Sequence, residues 1–211
     1  MPRTSRAVAV GYPHHVTQRG NNREQVFYDD QDRRTYLDFL KHYTQKHRVD
    51  IWAYCLMPNH IHLLAVPHVV DGLAVGVGLT NQCYTRYLNR KYLRSGRVWQ
   101  NRFYSCIVDT DDHLWSVARY IEYNPVKAGL VNDALAYHWS SARHHLAAVG
   151  DSLLVNSSWL DDDARDDYRS FLLACDDRMS EAIKQATRRG RPYCSAATLA
   201  HLETLLDRSL C

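Results

Sequence analysis

The sequence predicts an α+β fold: a ferredoxin-like (RRM-like) βαββαβ antiparallel sheet with helices on one face, followed by a C-terminal helical extension. Four short runs of alternating apolar and polar residues predict the strands. Two longer runs, with apolar residues three or four positions apart, predict helices after the first and third strands. In this split arrangement the second face of the sheet is expected to be open to a ligand.

The first half of the sheet follows from local patterns. Residues 14–20, HHVTQRG, predict the first strand, and an amphipathic helix is expected over residues 32–47. Residues 50–57 and 60–66 predict the second and third strands. The Pro-Asn pair between them is typical of a turn, so these two strands are expected to form a hairpin.

The second half begins with a glycine-rich connection over residues 71–78, which leads to a helix over residues 80–93. Residues 102–110 predict the fourth strand. Asp111 and Asp112 are candidate N-cap residues for a helix over residues 113–124. We divide the chain into a domain of residues 1–148 and an extension of residues 149–211. The helices expected in the extension cover residues 161–168, 180–187 and 196–208.

The composition is that of a globular protein, with 45% hydrophobic and 23% charged residues. No apolar run approaches the ~20 residues that a membrane-spanning helix needs. The six cysteines form no C-x-x-C pair, which is typical of buried thiols in a reducing compartment. We therefore expect a cytoplasmic protein that does not bind a membrane.

Basic residues concentrate in the first part of the chain. Residues 1–150 carry 18 Lys and Arg against 12 Asp and Glu, whereas residues 151–211 carry 8 against 11. Residues 84–102 contain no acid, and tyrosines and a tryptophan lie between their cations. Such a segment fits either single-stranded nucleic acid or a solvated helix whose aromatic residues pack inward. Its candidate DNA-binding residues are Arg86, Arg90, Lys91, Arg94, Arg97 and Arg102.

A second basic group lies in the extension, where three arginines surround Gly190. Arg188, Arg189 and Arg191 are candidates for phosphate contacts, although a basic turn is also ordinary protein surface.

The most informative motif is MPNHIHLLAV, which places His60 and His62 two positions apart in a predicted strand. Both imidazoles then leave the same face, while Ile61 between them points into the core. Two neutral histidines at this spacing can share one divalent metal ion. A strand histidine can equally well be a hydrogen-bonded structural residue, so the motif requires support from its surroundings.

That support comes from the helix after the fourth strand, which contains Tyr120 and Asn124. Residues four apart share a helix face, so both side chains can point at the histidine pair. Pro125 disfavours helical geometry at the preceding residue, and we expect the helix to end at Asn124. Tyr123 is the competing tyrosine, but it lies on a different face, and we favour Tyr120.

Several motifs together carry a resemblance to a known family. MPNHIHLL, VWQNRF and RYIEYNPVKAGLV occur in this order, with a basic helix between them, and HHVTQRGNNREQVF and HWSSARHH flank them. The set resembles the single-tyrosine HUH transposases of bacteria, in particular the REP-associated tyrosine transposases. The resemblance extends over nearly all of the first 145 residues.

This resemblance implies a site and a substrate. His60 and His62 would bind Mg²⁺ or Mn²⁺ with Asn124 as third ligand, and Tyr120 would be the nucleophile. Related enzymes can use Gln at the third position, where this chain has the shorter Asn124. The partner would be a single-stranded DNA hairpin, a REP-like palindrome, and a monomer is favoured over a homodimer. Arg102 would hold the scissile phosphate or anchor the DNA backbone.

Two other functions stay open at this point. One is a domesticated nucleic-acid-binding protein that keeps the fold but performs no chemistry. The other is a metal phosphohydrolase in which water attacks and Tyr120 is structural. The presence of His60, His62, Tyr120 and Asn124 together favours the transposase, which alone predicts a covalent adduct between protein and DNA.

Overall fold

The computed structural model describes residues 6–109, 113–154, 159–160, 163–173 and 177–210, and a four-stranded antiparallel sheet lies at its centre. The strands are β1 (His14–Arg19), β2 (Val49–Met57), β3 (His60–Pro67) and β4 (Tyr104–Ile107). The helices are α1 (Asp30–Lys46), α2 (Gly72–Lys91), α3 (Leu114–Lys127), α4 (Ala142–Ala147), α5 (Arg165–Leu173), α6 (Asp177–Arg189) and α7 (Ala196–Leu206).

The sheet has the order β2-β3-β1-β4, and every neighbouring pair is antiparallel. The turn between β2 and β3 has two residues, because Met57 pairs directly with His60. In the centre of the sheet, His60 lies opposite Arg19 and His62 lies opposite Thr17. The predicted βαββαβ order and the α+β class are therefore confirmed.

Both faces of the sheet are covered, which corrects the expectation of one open face. The side chain of Leu63 packs into a core shared with α1 and α2, whereas the next residue, Leu64, packs into a second core with α3. Helix α6 also packs on β4 and β1. The prediction missed this cover because α3 and the extension fold back on the sheet through long-range contacts that local periodicity does not reveal.

The glycine-rich connection predicted over residues 71–78 is wrong, because α2 already begins at Gly72. A Cβ on Gly72 would lie 2.9 Å from the carbonyl oxygen of His47, and one on Gly76 would lie 3.4 Å from that of Tyr43. The glycines thus allow the first turns of α2 to approach the end of α1 closely. Their low helix propensity is offset by this packing.

The aromatic residues between the cations of residues 84–102 pack inward. Tyr84 is fully buried and donates its hydroxyl hydrogen to the carbonyl of Val26 at 2.6 Å. Trp99 belongs to the same core, and Tyr87 donates to Asp32 at 3.0 Å. Of the two interpretations left open for this segment, the structure favours the solvated helix with aromatic residues packed inward.

Helix α3 does not end at Asn124 but continues through Pro125 to Lys127. The carbonyl of Asn124 accepts the amide of Ala128 at 2.9 Å, so the backbone remains helical on both sides of the proline. Pro125 is buried, and this tertiary packing overrides the local disfavour of the residue before a proline. The predicted N-cap residues Asp111 and Asp112 lie outside the described residues.

The extension is helical, as predicted, and shares a core with the preceding part. Tyr168 and Leu172 of α5 and Ile183 of α6 are buried with residues of α3. The boundary at residue 148 stays a prediction. Within the described ranges, no helix combines the length and the apolar character required to cross a bilayer.

Glu122 is buried on α3 and connects this helix to α4 and α5 through hydrogen bonds. Its carboxylate accepts hydrogen bonds from Ser141 at 2.5 Å, from the Nδ1 of His145 at 2.6 Å and from the hydroxyl of Tyr168 at 2.9 Å. Fully buried carboxylates persist only when they are paired in this way. The network joins α3, α4 and α5, and so it holds α3 in its place on the sheet.

We predict that Tyr168→Phe lowers the free energy of unfolding by about 1–3 kcal/mol, because it leaves a buried carboxylate oxygen of Glu122 without its donor. Urea denaturation measures the change. Tyr12→Phe is the matched control, since the Tyr12 hydroxyl has no hydrogen-bond partner among the described residues. Equal stability of the two variants would contradict the role assigned to Glu122.

Candidate metal and tyrosine site

Tyr120 and the histidine pair meet on the sheet face covered by α3. The ring of Tyr120 packs edge-on against His62, with 5.3 Å between ring centroids, and against His15 of β1, with 5.5 Å. His60 and His62 lie 4.9 Å apart by the same measure. Tyr123 makes no ring contact with a histidine in the described structure. The convergence expected from residue spacing is therefore present for Tyr120.

His60 is oriented by its neighbour in the motif, Asn59. The side-chain amide of Asn59 donates to the carbonyl of Arg23 at 3.0 Å, which directs its oxygen toward the Nδ1 of His60 at 2.6 Å. The Nδ1 of His60 must then carry the hydrogen and donate it to Asn59. The lone pair of this imidazole is left on Nε2.

His62 is oriented by His15, whose Nε2 lies 2.9 Å from the Nδ1 of His62. Burial lowers the pKa of His15 to about 3 and that of His60 to about 4, and it also lowers the pKa of His62 strongly. All three rings are therefore neutral near pH 7. Neutral imidazole is the form that binds metal ions.

The residues present fit a divalent metal ion. The Nε2 atoms of His60 and His62 have no hydrogen-bond partner among the described residues. Asn124 donates its amide hydrogen to the carbonyl of Tyr120 at 2.5 Å, so its side-chain oxygen takes no part in that hydrogen bond. Among the residues described, no group of three or more His, Cys, Asp or Glu side chains is arranged to hold a metal ion. An amide oxygen and water would complete the coordination.

The surroundings of Tyr120 change the pKa of its hydroxyl in two opposite directions. Burial raises the pKa of Tyr120, whereas the side chain of Asn124 and the positive charge of Arg19 work to lower it. Arg19 is exposed and lies opposite His60 in the sheet. It is thus a cation at the edge of the site.

Sequence reasoning missed both His15 and Arg19. The signal was available, because the period of two along the predicted first strand places His15, Thr17 and Arg19 on one face. The period of two does not show that this face of the first strand lies on the same side of the sheet as His62.

The structure separates the candidate DNA-binding residues of α2 from the site. Arg86 and Arg90 are exposed on α2, whose inward side packs on the opposite face of the sheet. Lys91 lies 2.7 Å from carboxylate oxygens of both Asp29 and Asp32. Its charge is therefore engaged in an ion pair at the start of α1.

Arg94 is paired with a carboxylate of the protein, whereas Arg97 lines a cavity. Arg94 pairs with Glu24 at 3.2 Å and donates to the hydroxyl of Tyr28 at 2.5 Å. Arg97 instead lines an open cavity of about 460 Å³, together with Arg6 and Arg102.

The remaining candidates come together at the outer edge of β4. Arg102 and four arginines of the extension line one groove of about 350 Å³. Its arginines are Arg6, Arg102, Arg188, Arg189, Arg191 and Arg208. We call this surface the arginine groove. Arg102 thus lies with the cations of the extension, whereas Arg19 is the cation beside His60.

We predict that Lys91→Met lowers the free energy of unfolding at pH 7 by roughly 1–2 kcal/mol, whereas Arg90→Met does not, because Lys91, unlike Arg90, donates to the buried Asp32. Burial works to raise the pKa of Asp32, but hydrogen bonds from Lys91, Tyr28 and Tyr92 hold it below its ordinary value.

This pKa fixes the pH dependence of the effect. A carboxylate whose pKa is lowered on folding stabilises the folded protein at any pH above the pKa of the unfolded chain, which is ~3.9. This stabilisation is lost as the pH falls through the lower pKa of the folded state. The difference between the Lys91→Met variant and the wild type should therefore shrink below about pH 4. A difference that is independent of pH would contradict the ion pair.

Comparisons with known proteins find transposases similar to this chain. The model of the IS200-like transposase family matches residues 9–124, a range that includes His60, His62, Tyr120 and Asn124. A protein of Haemophilus influenzae assigned as a REP-associated tyrosine transposase is 30% identical over 131 residues, which are 57% of this chain and 72% of that protein.

Among solved structures, a REP-associated tyrosine transposase bound to a REP hairpin superposes with a TM-score of 0.60. The match covers 76% of this chain and 98% of the other, at 19% sequence identity. At this identity the likeness establishes the shared fold.

Proposed function

This chain belongs to the family of IS200-like transposases, and from that premise we propose that it cleaves and rejoins single-stranded DNA through Tyr120. The observation that carries the proposal is the contact of the Tyr120 ring with His62 and His15. It places a phenol beside two neutral imidazoles, and the Nε2 of His62 has no hydrogen-bond partner among the described residues. The substrate would be a REP-like hairpin, the DNA bound by the protein in the similar solved structure.

The reaction is an exchange of one phosphoester for another. The Tyr120 oxygen attacks the scissile phosphorus, an O–P bond to tyrosine forms, and the bond to the 3′ oxygen breaks. The phenolic proton leaves, and the departing 3′ oxygen takes up a proton to become a hydroxyl. The 5′-phosphotyrosine conserves the energy of the ester, so that a second 3′ hydroxyl can reverse the step without ATP.

His60, His62 and Asn124 would hold Mg²⁺ or Mn²⁺ in this reaction. When bound, such an ion polarises the phosphate and offsets the charge that develops on it. The protein itself holds Tyr120 against the imidazole pair and keeps both histidines neutral. Arg19, at the edge of the site, would attract the phosphate and favour the phenolate form of the nucleophile.

The DNA would approach the protein along the arginine groove. Phosphates contribute affinity through contacts with arginine and lysine, and the groove brings together Arg102, which precedes β4, and arginines of the extension. The extension would then take part in holding the hairpin. Because Tyr120 and both histidines lie in one chain, a monomer would suffice for the reaction.

We expect the wild-type protein, incubated with a single-stranded REP hairpin and Mn²⁺, to form a covalent adduct that resists denaturation. Tyr120→Phe should abolish the adduct, because the attacking oxygen is lost. Tyr123→Phe, a change of the neighbouring tyrosine, should form as much adduct as the wild type. EDTA should prevent adduct formation.

Denaturing gel electrophoresis with labelled DNA measures these outcomes. Cleavage without any adduct would favour a hydrolase that uses water. Hairpin binding without cleavage would favour a catalytically silent binding protein. An adduct that persists in Tyr120→Phe would transfer the nucleophile to another residue.

We also expect Arg189→Ala to weaken hairpin binding and to reduce the salt dependence of log K by about 1, as the loss of one phosphate contact predicts. Arg90→Ala, which removes an exposed arginine from the opposite face of the sheet, is the control and should change neither quantity. Titrations at several salt concentrations measure both. A larger effect of Arg90→Ala would place the DNA on α2 instead.

A further inference from the structure

A chain of hydrogen bonds connects α6 of the extension to the histidine pair. The Nδ1 of His15 lies 2.7 Å from the hydroxyl of Thr187, and the Nε2 of His15 lies 2.9 Å from the Nδ1 of His62. Thr187 in turn donates to the carbonyl of Ile183 at 2.8 Å. Thr187, His15 and His62 are 1%, 1% and 4% exposed, respectively.

The chain has a direction, which the carbonyl of Ile183 determines. A carbonyl only accepts, so the single hydrogen of the Thr187 hydroxyl is committed to Ile183. The hydroxyl oxygen must then accept from the Nδ1 of His15. A neutral imidazole carries one hydrogen, so the Nε2 of His15 accepts from the Nδ1 of His62.

We infer that His15 and Thr187 are positioning residues that hold His62 as the tautomer with its hydrogen on Nδ1 and its lone pair on Nε2. The inference rests on the proposed role of His62 as a metal ligand. The opposite direction of the chain would place a hydrogen on the Nε2 of His62, and that nitrogen could not then bind a metal ion. The extension thus contributes to metal affinity through a residue that does not touch the metal.

Burial makes this arrangement depend on Thr187. The thiol of Cys106 also contacts this hydroxyl, with its sulfur 3.2 Å from the Thr187 oxygen. Sulfur is a weak hydrogen-bond acceptor and cannot replace the hydroxyl. Removing the hydroxyl therefore leaves the Nδ1 of His15 without a good acceptor, and the preference between the two directions is lost.

The test compares Mn²⁺ binding by the full chain and its variants with isothermal titration calorimetry, without DNA. Thr187→Val keeps the shape of the side chain, and we expect it to raise the Kd for Mn²⁺ about 10- to 100-fold. Thr187→Ser retains the hydroxyl and should bind as the wild type does. Thr80→Val is the matched control, because Thr80 is buried and donates to the carbonyl of Gly76 in the same way, on the opposite face of the sheet.

A second measurement does not depend on any variant. Nitrogen-15 NMR of the metal-free wild type should show His62 with a protonated Nδ1 and an unprotonated Nε2. The reverse tautomer would overturn the inference, as would wild-type Mn²⁺ affinity in a folded Thr187→Val variant. The expected tautomer in a wild type that fails to bind Mn²⁺ would instead contradict the proposed metal role of His62.

Discussion

The structure depends on the packing of one helix, α3, against the sheet face that carries His15 and His62. This contact buries an aromatic, polar cluster in which each imidazole Nδ1 has a hydrogen-bond partner. Desolvation keeps the rings neutral and thus suited to a metal ion. The buried carboxylate of Glu122 holds α3 from the other side, so a structural network determines where Tyr120 lies.

Local patterns were enough to predict much of this arrangement. The period of two placed His60 and His62 on one face, and the spacing of four placed Tyr120 and Asn124 on one side of a helix. Both inferences depend only on backbone geometry within one element. The same geometry places Tyr123 on a different face of the helix.

The rest of the site depends on contacts between distant parts of the chain. The cover over the second sheet face, the contact of His15 with Thr187 and the pairing of Lys91 with Asp32 join residues with no shared local pattern. A cation in a basic segment has the same sequence signature whether it binds an acid of its own protein or a phosphate. Only its neighbours in the fold distinguish Lys91 from Arg189.

The extension has two connections to the remainder of the molecule, since Thr187 reaches toward the histidines while the next residues line the arginine groove. Anomalous diffraction from a crystal grown with Mn²⁺ tests this arrangement of Tyr120 and the histidines most directly. We expect one manganese peak between the Nε2 atoms of His60 and His62, with the Tyr120 hydroxyl facing it. Manganese bound through Nδ1 or elsewhere on the protein, or a Tyr120 hydroxyl turned away from the ion, would rule out the proposed site.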